Sequence, residues 1–308
     1  MILFASGRTD IPAFYSRWFI NRIHAGYVDV RNPYYRAHVT RYKLTPDVVD
    51  CLVFCTKNPA PILPYIKELS QFGIYFFVTI TPYGKDIEPN VPEKEKVCES
   101  VRALSDAIGK ENVCWRYDPI FIDKTYTAAS HLRSFRTLAG QLNGATDRCV
   151  ISFIDLYEKT KKNFPGVQEV SESDQKFLAQ ALSVIARQNN MTIESCAEKV
   201  DLTAYGVETG CCISKNIIEH AANIRLLPIG GHSIRLQCAC LPTHDIASYN
   251  TCPHGCKYCY ANYDSEIASK NIKLHDDESP FLIGHSEPGD ILKEAAQKSW
   301  RDTQLTLL

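Results

Sequence analysis

The chain has 308 residues, 45% of them apolar and 22% charged, the profile of a soluble globular protein with a core of ordinary size. Its 34 Lys and Arg nearly cancel 35 Asp and Glu, leaving a formal charge of −1. Charge therefore gives no argument for nucleic acid or an anionic membrane as partner, although a local basic groove is not excluded. No apolar run approaches the roughly 20 residues that span a bilayer, and the opening MILFASGRTD lacks the layout of a signal peptide. The expectation is a cytoplasmic protein with no membrane partner. There, thirteen cysteines point to metal or redox chemistry rather than to a disulfide framework.

The first strand is predicted at 2–6 (ILFAS), ending at Gly7-Arg8-Thr9-Asp10. A helix follows in which Phe14, Trp18, Ile20 and Ile23 share a face, with Gly26 as its C-terminal cap. Further strands are predicted at 27–30, 51–55, 74–80, 113–116, 149–154 and 191–194, with a weaker one at 233–236. Helical patterns occupy 60–71, 93–108, 128–142 and 173–188; the stretch 33–50 has no clear pattern. About eight strands joined by helices predict an α/β fold, a TIM-like (β/α)8 barrel or partial barrel, with a doubly wound open sheet as the rival. No repeat or linker divides the chain. Residues 1–264 read as the barrel with its cysteine loop and 265–308 as a C-terminal extension.

Polar residues gather where the predicted strands end: Arg8 and Asp10, Arg31 and Asn32, Lys57 and Asn58, Arg116 and Asp118, Asp155 and Tyr157, Glu194 and Glu198. In a barrel that face carries the active site. Strand ends are also polar simply because loops meet water. Arg8, Asp10, Lys57, Arg116, Asp118 and Asp155 are the candidates for a substrate cavity, and their paired charges suit an anionic or zwitterionic substrate.

The sharpest signal is Cys252-x-x-x-Cys256-x-x-Cys259, within TCPHGCKYCYAN. Three thiolates on one loop can meet three corners of a [4Fe–4S] cube, leaving one iron open to another ligand. Four further cysteines, Cys196, Cys212, Cys238 and Cys240, are candidates for a second, closed cluster or for a fourth ligand to the first; Cys211 is an additional candidate. Cys51, Cys55, Cys98, Cys114 and Cys149 lie in apolar patterns and read as packing. Zinc also accepts such thiols, with Cys240 or His254 completing a tetrahedron, so a zinc-stabilised hydrolase or binding protein stays open. A two-cluster electron-transfer protein is a third reading. Gly230-Gly231 before His232 is too short to assign, and GVETGC around Glu208, though its small residues suit a cofactor-contacting loop, reads rather as a connecting turn beside Cys212.

The loop, with Tyr258 before its last cysteine, resembles the signature of the radical S-adenosylmethionine superfamily. That resemblance implies a [4Fe–4S] cluster whose open iron chelates S-adenosyl-L-methionine, and an electron donor such as a ferredoxin or flavodoxin. It further implies reductive cleavage to a 5′-deoxyadenosyl radical that acts on a small-molecule or peptide substrate. In that superfamily the loop follows the first strand, whereas here it lies near the C-terminus. The chain is more similar to a family of uncharacterised bacterial and archaeal proteins, a domain of unknown function with a C-terminal radical-SAM-like cysteine cluster. SGRTDIPAFYS, LVFCTKNP, VTITPYG, WRYDPI, SFIDLY and YNTCPHGCKYCYAN carry that resemblance. Because a barrel is cyclic, a loop after the last strand would still neighbour the first. Cys259-Tyr260 is also distantly similar to the spore photoproduct lyase group, which repairs DNA, so a nucleic-acid substrate is not excluded.

Overall fold

The computed structural model describes residues 1–229 and 238–304. The predicted strand at 233–236 and the Gly230-Gly231-His232 stretch lie outside the described residues. Eight parallel strands form the main sheet: β1 (Ile2–Phe4), β4 (Cys51–Thr56), β5 (Gly73–Thr79), β6 (Val113–Ile120), β7 (Arg148–Phe153), β8 (Thr192–Ser195), β9 (Glu208–Thr209) and β10 (His244–Asp245). Their spatial order is β10-β1-β4-β5-β6-β7-β8-β9. A small second sheet holds β2 (Tyr27–Arg31), β3 (His38–Lys43) and β11 (Ile291–Glu294), in the order β11-β3-β2. The helices are α1 (Ile11–Phe14), α2 (Ser16–Ala25), α3 (Lys94–Ile108), α4 (Ala128–Leu142), α5 (Glu158–Asn163), α6 (Glu172–Gln188), α7 (Lys215–Ala222) and α8 (Ser265–Ile272).

The central strands are apolar on both faces because both are covered, as parallel sheets require. On one face Leu52, Phe54, Phe76, Trp115 and Ile151 belong to the large core. On the other, alternate residues Cys51, Val53, Tyr75, Phe77, Cys114 and Val150 pack with Ile218 of α7. That helix lies so close to the sheet that a Cβ at Gly73 would stand 2.5 Å from Ala222 Cβ. The register of β6 against β7 shifts between Tyr117 and Ile120, where Pro119 has no N–H to donate.

Several sequence expectations change. The predicted strand at 27–30 leaves the main sheet and pairs antiparallel with β3, Val28 opposite Tyr42. Arg31 therefore ends a strand of the second sheet; it binds Asp290 instead of joining the main rim. The segment 60–71 is largely a 3₁₀ helix, Ala60–Leu69, with Pro64 inside it, a ring that an α-helix interior does not accept. The C-terminal residues add β11 to β3, and Phe281 and Leu282 are buried. Gly26 caps α2 at φ 76° as expected.

Among the described residues no ladder joins β9 to β10. Two bonds link the segments beside them: Leu241 N–H to Ile213 O at 2.9 Å and Ile213 N–H to Cys240 Sγ at 3.4 Å. What the topology fixes for the site is the placing of β10 beside β1, with Leu3 opposite His244 and Phe4 opposite Asp245. The loop after β10 thus meets the loop after β1 on the C-terminal rim.

Candidate functional site

The cysteine loop turns sharply at Gly255, whose φ of +68° favours glycine and where a Cβ would press to 3.3 Å from Pro89. Its backbone is sewn to the loop after β5: Asn90 N–H donates to His254 O at 3.2 Å and Lys257 N–H to Ile87 O at 3.0 Å. Asn90 Nδ2 donates to Pro253 O at 2.8 Å. Within the loop, Cys259 N–H donates to Cys256 O at 3.1 Å, and Asn262 Nδ2 to Cys252 O at 2.7 Å. Tyr260 hydroxyl donates to Gly7 O after β1. Elements distant in sequence therefore fix the path on which the three thiols ride.

Side chains continue the scaffold. Asp10 Oδ1 caps α1 by accepting from Ala13 N–H at 3.0 Å. Its Oδ2 accepts from Lys57 N–H at 2.8 Å and stands 2.9 Å from His254 Nε2. His254 is buried and packs edge-on against Phe14, centroids 4.6 Å apart. It ties the loop to Asp10 and α1. Glu88 is fully enclosed between Lys57 Nζ at 2.7 Å and Lys94 Nζ at 2.5 Å. It also accepts from Thr81 Oγ1 at 2.6 Å and from the Tyr258 hydroxyl. Burial alone would raise the Glu88 carboxyl, but the two lysines overcome it and hold it at about 2.

The three thiols act on one another. Burial pushes Cys252 well up, and the charges of Asp10, Cys259 and Cys256 push it further. Burial raises Cys256 to about 12 against the pull of Lys57, with Glu88 and Cys259 adding to the rise. Cys259 is also raised by burial, while backbone donors at Asn262 and Ala261 and the charges of Lys159 and Lys57 oppose the shift. Burial thus raises all three thiols, and lysine charge opposes the rise at Cys256 and Cys259.

The predicted cavity residues divide. Asp10 and Lys57 support the loop. Arg8 is turned to β10, with Nε donating to Asp245 Oδ2 at 2.8 Å and its ring-facing side over Tyr249. Arg116 pairs with Asp118 and reaches Cys55 Sγ at 3.8 Å. Asp155 is exposed, beside the Tyr157 hydroxyl at 3.2 Å. Asp118 and Asp155 both raise Glu198, which burial already lifts, to about 7. Glu194 instead grips Arg148 with two bonds of 2.8 and 2.6 Å. Asn32 accepts from the Tyr34 and Tyr35 N–H groups in the second sheet's turn. Asn58 accepts from Ala60 N–H at 3.3 Å.

Sequence reasoning passed over Glu88, Lys94 and Thr81, which surround Lys57 and Tyr258. A carboxylate in a Gly-Lys-Asp-Ile-Glu loop has no spacing that marks it. Cys55 packs at the half-buried margin of the sheet core, beside Arg116 and Thr79, whereas Cys51, Cys98, Cys114 and Cys149 are buried. A second thiol group forms against the Phe77 face of the sheet. Cys211 Sγ donates to Ala239 O at 3.1 Å, Cys240 Sγ accepts from Ile213 N–H at 3.4 Å, and Cys196, Cys211, Cys212 and Cys240 belong to one apolar cluster. Cys238 lies at the partly buried margin of the same cluster. Among the described residues there is no disulfide, and no three His, Cys, Asp or Glu side chains are placed to enclose a single metal ion. No helix among them is long and apolar enough to cross a membrane. A cavity of about 90 Å³ opens beside Glu88 and Lys94, too small for a nucleoside-sized ligand.

Residues 2–261 match the family described as Domain of unknown function (DUF1848). The chain belongs to that family. The DUF1848 match runs past Cys259 and so takes in both thiol groups as well as the main sheet. No curated protein matches the chain.

Proposed function

We propose that this DUF1848 protein is an iron–sulfur enzyme of the radical S-adenosylmethionine type, its [4Fe–4S] cluster held by Cys252, Cys256 and Cys259. The observation that carries the reading is a three-thiol loop seated on the C-terminal rim of a parallel sheet, braced by buried charge. A cube does not ask its ligands to surround one point, because each thiolate meets a different iron. The three thiols lie on one loop, while Cys196, Cys211, Cys212 and Cys240 belong to a separate apolar cluster that does not include them. A loop site with one open iron is what that division leaves.

The fit extends to the polar surroundings. Ser6 Oγ, Thr9 Oγ1 and Arg116 Nε are buried with no hydrogen-bond partner among the described residues. Ser6 and Thr9 flank Gly7, which receives the Tyr260 hydroxyl, so these unmet groups adjoin the loop. A bound polar cofactor at this rim would satisfy them. Lys57 offsets thiolate charge at Cys256 and Cys259. In this reading the sheet curves as a partial barrel, and Arg116, Asp118 and Asp155 face the substrate.

Cys252, Cys256 and Cys259 would hold the cluster, which when bound would supply the one electron for reductive cleavage of S-adenosyl-L-methionine to methionine and a 5′-deoxyadenosyl radical. The electron comes from a low-potential donor of the ferredoxin or flavodoxin class. The protein's own part is to hold the thiolates, to keep the loop rigid through Asp10–His254 and Glu88, and to place substrate. Anaerobic reconstitution followed by S-adenosyl-L-methionine and dithionite should yield 5′-deoxyadenosine. An intact cluster that gives none sinks the enzyme reading.

A further inference from the structure

We propose that Cys196, Cys211, Cys212 and Cys240 form a second, closed thiolate site that takes an iron–sulfur cluster of its own. The four come from three separated segments: the residue after β8, the pair two residues beyond β9, and the approach to β10. The fold brings them to one place: Cys211 Sγ donates to Ala239 O at 3.1 Å beside Cys240, Cys240 Sγ accepts from the N–H of Ile213 beside Cys212, and Ser195 before Cys196 pairs with Thr209 of β9. Cys51, Cys114 and Cys149, by contrast, are dispersed along buried strands. Simple packing needs no thiol to meet a thiol, and an alanine or valine would fill such a space equally well.

The charge around the group fits an anionic centre. Arg116 lies near Cys212 and Cys196, and Arg148 Nη2 donates to Cys211 O at 3.1 Å. Each guanidinium keeps a carboxylate partner, Asp118 and Glu194 respectively, which fixes its position. Ile213 N–H already donates to Cys240 Sγ at 3.4 Å, and such bonds to ligand sulfur tune a cluster's potential. Four thiols from three segments can each meet a separate iron, and the metal and sulfide counts below separate such a cluster from a single zinc held by the same thiols. Four thiolates would close the coordination, so this centre would pass electrons and bind no substrate.

The site stands independently of the loop reading, and one set of proteins separates the two. The full-length chain is reconstituted anaerobically with iron and sulfide as wild type, with the three loop cysteines changed to Ser, and with these four changed to Ser. Wild type should hold about eight iron and eight sulfide, and each variant about four of each. If the four-cysteine variant keeps the wild-type count, the second site does not exist. One zinc without sulfide that disappears with these cysteines also overturns the proposal. Circular dichroism checks folding; if the four-fold variant unfolds, C240S alone carries the same test. C238S should keep its iron where C211S loses it, and the reverse result overturns the ligand set. A loop variant that retains four iron, with no 5′-deoxyadenosine from wild type, would sink the loop reading and leave this one standing.

Discussion

The two thiol groups occupy one molecule but are assembled in opposite ways. The loop set spans Cys252 to Cys259 in a single turn, and distant charged residues are recruited to hold it: Asp10, Lys57, Glu88 and Lys94. The second set has no loop of its own. Strand order brings Cys196, Cys211, Cys212 and Cys240 together, and apolar residues such as Ile213 and Ile218 surround it. A contiguous motif can be placed anywhere the fold offers bracing, whereas a dispersed one exists only if the topology is right. The first should therefore fail when the charges round its loop are disturbed, and the second when the strand edge that assembles it, tied by Arg148 and Glu194, is disturbed.

The largest expected effect tests that dependence on charge. Glu88→Gln leaves Lys57 and Lys94 facing each other without their carboxylate, at a cost of about 3–5 kcal/mol. A urea titration should show the lost stability, and the loop's iron should fall while the second set keeps its own. Next, Arg148→Met breaks the pair with Glu194, whose side chains are 12% and 17% exposed. The expected loss is about 2–3 kcal/mol, below the fully buried case because of that exposure. It should lower the iron held by the second set and spare the loop. Equal loss from both sites in either variant would break the comparison.

His254→Ala is milder. It removes the bond to Asp10 Oδ2, which still accepts from Lys57 N–H, for about 1–2 kcal/mol. The loop should release iron to a chelator faster than wild type, with the second set unchanged. The smallest effect lies away from both groups. Arg31 and the Glu287 N–H hold the Asp290 carboxyl down at about 2. Its contribution is present above the ordinary carboxylate range and is lost as pH falls from about 4 through about 2. Asp290→Asn should therefore lower the melting temperature near neutral pH and make little difference at pH 2, with both iron sites unaffected.

How much of this was legible in the sequence follows from where each feature's information lies. The apolar runs at 51–55, 74–80 and 149–154 became β4, β5 and β7, because buried parallel strands write continuous apolar sequence. β9 and β10 are two residues each, Glu208–Thr209 and His244–Asp245, and are strands only through their neighbours. Likewise the 27–30 run has strand character but nothing in it states which sheet it joins. The loop cysteines were readable from spacing alone. Cys238 was drawn in by the Cys-x-Cys pattern, whereas the place of Cys211 comes from the fold, which sets its Sγ 3.1 Å from Ala239 O beside Cys240. Glu88 was invisible because its importance comes from Lys57, Lys94 and Tyr258, which are remote in sequence.

The central claim is a cluster on the loop with one open iron, and electron paramagnetic resonance of the reduced, reconstituted protein tests it most directly. To isolate the loop, the spectrum is taken on the variant with Cys196, Cys211, Cys212 and Cys240 changed to Ser. The account predicts a [4Fe–4S] signal that shifts on adding S-adenosyl-L-methionine and vanishes when Cys252, Cys256 and Cys259 are also changed. A signal that survives the loss of the loop cysteines, or one from an intact loop cluster indifferent to S-adenosyl-L-methionine, would contradict it.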